Sequence, residues 1–349
     1  MTNVFLTLFI GILFGFIFYK MKIPGGMMIG AVAGTLLLSL TMQRASMPYI
    51  AKFVAQVTSG AYIGCAVSKE DFRQFRKIYK VLLVVVGAFL LLNLTTGILL
   101  WKFASFDLLT ALMCTIPGGI SEVSLVSAEM GADVSAVVLL QFVRMCVGLG
   151  FFPSWIAWLD RRSNIADIDV SQNIKKTGKT KTKPPVLKLI ILFAIAACFG
   201  YLGRRMGVPA GVLIFSIMAA LLIKLFVFSV SFPKPLKRCA QVLSGCYIGC
   251  SISYESLLNI PSLLVPAIFI VIVYMINSFV VGHILNKYFS VPIREAMLMA
   301  TPAGASDMAL ISADIGVQSP VLIVTQVLRM LAAASLFPQI CYQVVRLFS

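Results

Sequence analysis

The sequence predicts an all-α polytopic membrane protein made of two repeats of inverted topology, each with about five transmembrane helices and one re-entrant helical hairpin. Three observations carry this: an oil-rich composition, an internal duplication, and a helix-breaking motif that occurs once in each half.

Of the 349 residues, 60% are hydrophobic and 12% charged, with a mean hydropathy of +0.97. A soluble domain carries about 25% charged residues. Apolar runs such as Val81–Leu100, Leu187–Leu202 and Leu263–Val281 suit spanning helices of roughly 17–25 residues. They lack the alternation of barrel strands. The net charge of +16 does not point to nucleic acid, because the positives gather in short connections: Arg73, Arg76, Lys77 and Lys80, and the stretch Arg161–Lys188. That is the distribution of cytoplasmic loops, and no basic helix or aromatic stacking motif accompanies it.

The eight cysteines, at 65, 114, 146, 198, 239, 246, 250 and 341, lie in apolar runs except for Cys239, where thiols behave as small hydrophobes. Cys246 and Cys250 are one helical turn apart, but the first half keeps only Cys65 of that pair, which speaks against a metal site. The single histidine, His283, sits in an apolar run and reads as a core residue. One histidine excludes histidine-rich copper or zinc catalysis. No nucleophile–base pair is visible, so no enzyme activity, metal or cofactor is expected. The N-terminal run lacks the positive n-region and small-residue cleavage site of a signal peptide. Lys20 and Lys22 follow it, which puts the N-terminus outside.

The duplication is read directly. GFIFYKMKIPGG from Gly15 matches GYLGRRMGVPAG from Gly200. AQVTSGAYIGCAVS from Ala55 matches AQVLSGCYIGCSIS from Ala240. PGGISEVSLVSAEMG from Pro117 matches PAGASDMALISADIG from Pro302. The offset is 185 residues in all three, and 10 of the 29 positions of Pro117–Met145 recur in Pro302–Met330. Residues 1–160 form the first repeat and 186–349 the second. The basic linker 161–185 ends in Pro184-Pro185 and is expected to be flexible and cytoplasmic.

Within the first half, helices are expected near 4–20, 24–42, 50–67 and 79–102, then an interrupted stretch, 107–131, and a last helix near 133–159. The Lys69–Lys80 loop and the linker are both basic and should share the cytoplasmic side. The interrupted stretch must then turn back, leaving five crossings, and an odd number inverts the second half. In support, Tyr254–Pro261 lacks Lys and Arg where its counterpart Lys69–Lys80 is basic, and the loop Ser231–Arg238 gains Lys234, Lys237 and Arg238. Arg204 and Arg205 oppose it. Six parallel crossings per half is the rival topology.

The interruption supplies the candidate site. Proline and glycine end helices, and non-helical backbone inside a bilayer survives only when buried in protein or lining a wet cavity. The tip Pro117, Gly118, Gly119 should lie near the midplane, with Ser121 as N-cap of the second arm and Glu122 in its first turn, where a carboxylate is favoured. Arg144 lies about 16 Å along the last helix, level with the tip, and Gln141 shares its face. The second half repeats the set as Pro302, Gly304, Ser306, Asp307, Gln326 and Arg329. Intramembrane ionisable residues are functional candidates, and the layout suits a secondary transporter with broken helices. The bland alternative is an acid–arginine pair that only holds the hairpin in place. Glu129 and Asp314 read as capping or solvated charges. The small residues around Gln56 and Tyr62, and around Gln241 and Tyr247, read first as close helix packing. The expected partners are the lipid bilayer and a small solute or ion, not nucleic acid; a homo-oligomer is compatible with such a chain.

The duplicated P-[GA]-G-x-S-[ED] pattern followed by Q-x-x-R resembles the membrane AbrB family, duplicated bacterial membrane proteins, across nearly the whole chain. The resemblance implies a bacterial cytoplasmic-membrane protein. Family members have been labelled ammonia monooxygenases, which fits badly with one histidine, and regulators of gene expression, which a membrane protein can be indirectly. The tips also look like the re-entrant loops of citrate-type symporters, by analogy of architecture alone.

Overall fold

The computed structural model describes residues 2–163, 186–252, 260–302 and 320–348, apart from positions 22, 24, 43, 44, 68, 105, 209, 229 and 231. The first half runs α1 (Thr2–Lys20), α2 (Gly26–Met42), α3 (Tyr49–Ala66), α4 (Lys69–Phe103), α5 (Leu108–Cys114), α6 (Ile120–Met130) and α7 (Val134–Ser163). The second runs α8 (Val186–Arg205), α9 (Gly211–Leu222), α10 (Lys234–Ser251), α11 (Leu264–Phe289), α12 (Ile293–Met299), α13 (Pro320–Ser335) and α14 (Phe337–Phe348). A π-helical turn, Ile223–Val227, extends α9, and a 3-10 turn, Ile260–Leu263, precedes α11. Among the described residues there is no strand. Among the same residues, five helical spans, such as Ile78–Phe103 and Leu264–Phe289, are long and apolar enough to cross a membrane. The protein is an all-α, multi-pass membrane protein.

Several expectations change. Lys69–Lys80 is not a loop but the opening of the 35-residue α4. Its Lys, Glu and Arg residues are good helix formers, and acids at Glu70 and Asp71 suit a helix start. The loop expected over Ser231–Arg238 ends at Lys234, where α10 begins with Pro235 in its first turn; the missing N–H of a proline costs nothing there. His283 is exposed on the outer face of α11 rather than buried in a core, its Nδ1 2.8 Å from the Phe279 carbonyl and its ring 4.1 Å from that phenylalanine's. Cys198 and Cys239 are exposed. The linker from 164 to 185 and the loop from 253 to 259 lie outside the described residues.

The helices sort into two bodies, and neither body is one half of the sequence. A frame contains α1–α3 and α8–α10; a second body contains α4–α7 and α11–α14. Inside the frame the halves interlock: α3 packs on α9, and its mate α10 packs on α2. A Cβ at Gly60 or Gly64 would meet α9 backbone, 2.9 Å from the Leu213 carbonyl and 2.5 Å from that of Ile217. At the equivalent Gly245 and Gly249 it would come 2.5 Å from the Met28 carbonyl and 2.7 Å from that of Val32. The small-residue stripes are therefore close-packing surfaces, as close approach of helices in lipid requires.

The mates α3 and α10 run antiparallel. Lys52, early in α3, faces Tyr247, late in α10, at 5.6 Å from the ring centroid; Lys237, early in α10, reaches the Tyr62 hydroxyl, late in α3, at 3.2 Å. The pairs are related by the 185-residue offset. Their neighbours agree: the start of α3 meets the end of α8, with Arg204 4.2 Å from the Tyr49 ring, and the start of α10 meets the end of α1, with Arg238 4.3 Å from the Tyr19 ring.

Overpacking costs typically 1–3 kcal/mol. Gly64→Val should therefore lower the thermal unfolding midpoint of the purified protein in detergent, while Gly87→Val, at a position where an added Cβ meets nothing within 4 Å, should leave it unchanged.

Candidate functional site

The segment 107–133 folds back on itself. Asp107 caps α5, accepting from the Thr110 N–H at 2.9 Å. Asp133, past the end of α6, donates its N–H to the Thr110 hydroxyl at 2.8 Å, so the chain leaves where it entered. Gly131 ends α6 at φ +86°, a left-handed turn that suits glycine. Asp133 in turn accepts from Ser135 N–H at 2.9 Å at the start of α7. Between these ends α5 has 7 residues and α6 has 11, arms of about 10 and 16 Å.

At the turn, α5 stops and its last carbonyls lose their helical partners. Other helices supply the donors. Gln141 Nε2 lies 3.1 Å from the Met113 carbonyl, 3.3 Å from Cys114 and 2.9 Å from Ile116. Arg144 donates to the Ile116 carbonyl at 2.9 Å and to that of Gly118. From α4, Asn93 donates to the Leu112 carbonyl and the Thr115 hydroxyl, both at 2.8 Å. The Tyr274 hydroxyl of α11 donates to the Thr115 carbonyl at 2.7 Å.

The second half repeats this at the same offset. Gln326 donates to Leu298 at 2.7 Å and sits 3.5 Å from Met299, Arg329 donates to Thr301 at 2.9 Å, and Ser278 donates to Met297 at 2.9 Å. Gln141, Arg144, Gln326 and Arg329 are all buried. The two sets meet at Phe89 and Tyr274, mates in α4 and α11 whose ring centroids are 6.2 Å apart. Each serves the opposite half: Tyr274 caps the first hairpin, and Phe89 presents its ring to Arg329 at 4.9 Å.

The expected residues are thus brought together in part. Pro117, Gly118 and Gly119 form the turn, with Gln141 and Arg144 around it. Arg144 is bonded to carbonyls and to no carboxylate among the described residues. Ser121 is buried in the first turn of α6 but is not its N-cap; that place is Gly119, in extended geometry at φ −75° and ψ 143°. Glycine is an acceptable N-cap, and a Cβ there would strike the Glu122 carboxylate. Glu122 itself is half-buried and folds over the N-terminal end of α6, where the helix dipole favours negative charge. Pro302 is buried at the start of the second turn; Gly304, Ser306, Asp307 and Asp314 lie outside the described residues.

Sequence reasoning missed Glu129. It accepts from Gln56 Nε2 at 2.8 Å, across 73 residues, joining α6 to α3. Lys52 is buried one turn away on α3. The clue was the shared motif containing Gln56, but nothing in spacing ties it to position 129. Among the described residues no group of three or more His, Cys, Asp or Glu side chains could hold a metal.

The profile of one family, described as transition state regulatory protein AbrB, matches residues 1–160 and again 81–345. The chain belongs to the AbrB family. The Escherichia coli (strain K12) protein that carries the provisional name of regulator AbrB is 21% identical over 323 residues, 90% of this chain and 88% of the relative. The Bacillus subtilis (strain 168) protein YhjN, named as uncharacterized, is 23% identical over 257 residues, 71% and 67% respectively. The two overlapping profile matches accord with the duplication of this AbrB-family protein.

An intramolecular hydrogen bond contributes about 1 kcal/mol, and an orphaned buried partner costs about 1–3 kcal/mol. Tyr274→Phe should therefore lower the unfolding midpoint slightly, and Gln141→Leu more, since it strips donors from several carbonyls. Thermal unfolding in one detergent checks the order.

Proposed function

We propose that this AbrB-family protein binds a small polar or anionic solute between its two hairpin tips and carries it across a bacterial cytoplasmic membrane as a secondary transporter, coupled to a proton or another cation. The supporting observation is what capping leaves over. Gln141 Oε1, Gln326 Oε1, Arg144 Nε and Ser124 Oγ are buried without a hydrogen-bond partner. Such atoms are costly, and the glutamine pair recurs at the same place in both halves. A ligand that accepts from Arg144 and donates to the glutamine oxygens removes that cost.

In this reading Glu122 and Asp307 bind the coupling cation or titrate. Ser121, Ser306 and the N–H groups of the tips Pro117–Gly119 and Pro302–Gly304 contact the solute beside Arg144 and Arg329. Arms of about 10 and 16 Å, whose ends meet at Thr110 and Asp133, support a re-entrant hairpin in a hydrocarbon core of about 30 Å. The antiparallel run of α3 and α10 supports inverted repeats. Lys20, Lys22 and the basic start of α4 support a cytoplasmic first loop and linker, with both termini outside. Arg204 and Arg205, which oppose that orientation, stack on Tyr49 and Tyr201.

A second reading has its own support. The family description and the name of the Escherichia coli relative both speak of regulation, and they favour it more directly than they favour transport. Here the protein senses the same ligand, moves nothing, and changes gene expression indirectly.

A thermal-shift screen of the purified protein finds the ligand, since saturation at 100 times Kd adds about 2.7 kcal/mol. Uptake of that ligand into proteoliposomes then separates the readings. The carrier reading expects accumulation that Glu122→Gln and Asp307→Asn abolish; ligand binding by the unaltered protein with no flux leaves the sensor.

A further inference from the structure

Lys52, in the first turn of α3, is only 3% exposed. Among the described residues its ammonium makes no hydrogen bond and no ion pair. It has the faces of two rings instead, Tyr49 at 5.9 Å and Tyr247 at 5.6 Å. Buried charges are ordinarily paired or hydrogen-bonded, so a lysine in this state calls for an explanation. Its mate shows the ordinary solution: Lys237 is half-buried and donates to the Tyr62 hydroxyl at 3.2 Å.

The lysine stands in a cluster drawn from four helices. One turn along α3, Gln56 is fully buried; its Nε2 donates to Glu129 of α6 at 2.8 Å, but its Oε1 has no partner. On α10, Ser244 Oγ, one turn from Tyr247, is also buried and unmatched. From the end of α8, Arg204 stacks on the Tyr49 ring at 4.2 Å. Glu129 is half-buried, and Tyr49 and Arg204 are exposed, so the cluster is reachable from the surface. It lies where the frame meets the hairpin body, α4–α7 and α11–α14. Glu129 is seven residues beyond Glu122 on α6, about 10 Å along the helix, which sets the cluster apart from the hairpin tip. Donors and acceptors are both left over here. Lys52 offers an unused ammonium, and Gln56 Oε1 and the second oxygen of Glu129 offer acceptors. An anion alone would satisfy Lys52 but leave Gln56 Oε1 bare and face Glu129. A cation alone would face Lys52 and Arg204. A zwitterion answers both ends.

We propose that this cluster is a binding site for a free α-amino acid, whose carboxylate accepts from Lys52 and whose ammonium donates to Gln56 Oε1 and Glu129. The Tyr49 and Tyr247 rings wall the site, and Arg204 adds positive charge on the carboxylate side. The site is additional to the one between the hairpin tips and stands whether or not that one carries a solute.

Thermal unfolding of the purified protein in detergent tests it, with each proteinogenic L-amino acid as the probe, since a ligand of the native state raises the midpoint. At least one amino acid should raise it, while the carboxylic acid lacking its amino group and the amine lacking its carboxylate should not. Lys52→Met and Glu129→Gln should each weaken that binding by about thirtyfold or more, the loss expected when one partner of a buried charged contact is truncated. Lys237→Met, at the mate lysine, should keep the shift. No rise with any amino acid, a rise equalled by either analogue, or a rise unchanged in Lys52→Met overturns the proposal. The analogue series uses the unaltered protein, so it decides even where a variant fails to fold. A rise that Glu122→Gln removes and Lys52→Met keeps overturns the separate site and assigns the ligand to the hairpin tips, which distinguishes its failure from that of the proposed function.

Discussion

The rest of the structure depends on one requirement: helix carbonyls cut loose inside an apolar interior must find donors. In water a broken helix is capped by solvent; in hydrocarbon each unsatisfied group costs several kcal/mol. Here the donors come from a neighbouring helix. Gln141 and Arg144 are three residues apart, on one face, with a rise of about 4.5 Å between them. That offset lets the glutamine serve Met113 through Ile116 while the guanidinium reaches on to Gly118. The Q-x-x-R spacing is therefore a ruler matched to a helix end, and it occurs twice because the helix breaks twice.

Much of this was legible. A constant 185-residue offset gave the duplication, Pro-Gly-Gly gave the break, and counting along the last helix brought Arg144 level with the tip. What the arginine bonds to was not legible. A backbone carbonyl has no side-chain identity, so an acid nearby in sequence drew attention away from the acceptors that the guanidinium uses. Glu129 was read as a solvated charge for a similar reason: its partner Gln56 lies 73 residues away, and only the fold brings α3 against α6. Ser121 looked like the N-cap because serine favours that place, but the cap falls two residues sooner, at Gly119, and the helix begins at Ile120.

Reading the halves as units was right for the repeat and silent about the packing. Each half gives three helices to the frame and the rest to the hairpin body. Antiparallel mates explain why. The mates α3 and α10 lie against each other, as do Phe89 and Tyr274, so residues far apart in sequence become neighbours as equivalents. The glycine stripes of α3 and α10 then let each half grip the other as well as itself. Sequence showed that these residues were small and spaced by one turn; it could not show that the surface they fit belongs to the opposite half.

Capping by carbonyls occupies the two terminal nitrogens of Arg144 but leaves its Nε without a partner and its charge uncompensated. Carbonyl dipoles are neutral overall, and a guanidinium taken out of water keeps a desolvation cost of several kcal/mol. Glu122 lies over the N-terminal end of α6 and forms no ion pair with Arg144 among the described residues. At an effective dielectric constant near 20, opposite unit charges 4 Å apart attract by about 4 kcal/mol. An anion entering beside the buried Nε of Arg144 would gain that attraction together with a hydrogen bond; a neutral solute would gain only the bond. A direct Arg144–Glu122 ion pair would have removed this preference. By bonding the guanidinium to carbonyls instead, the fold keeps a positive centre at the hairpin tip, which supports the proposed reading of an anionic ligand.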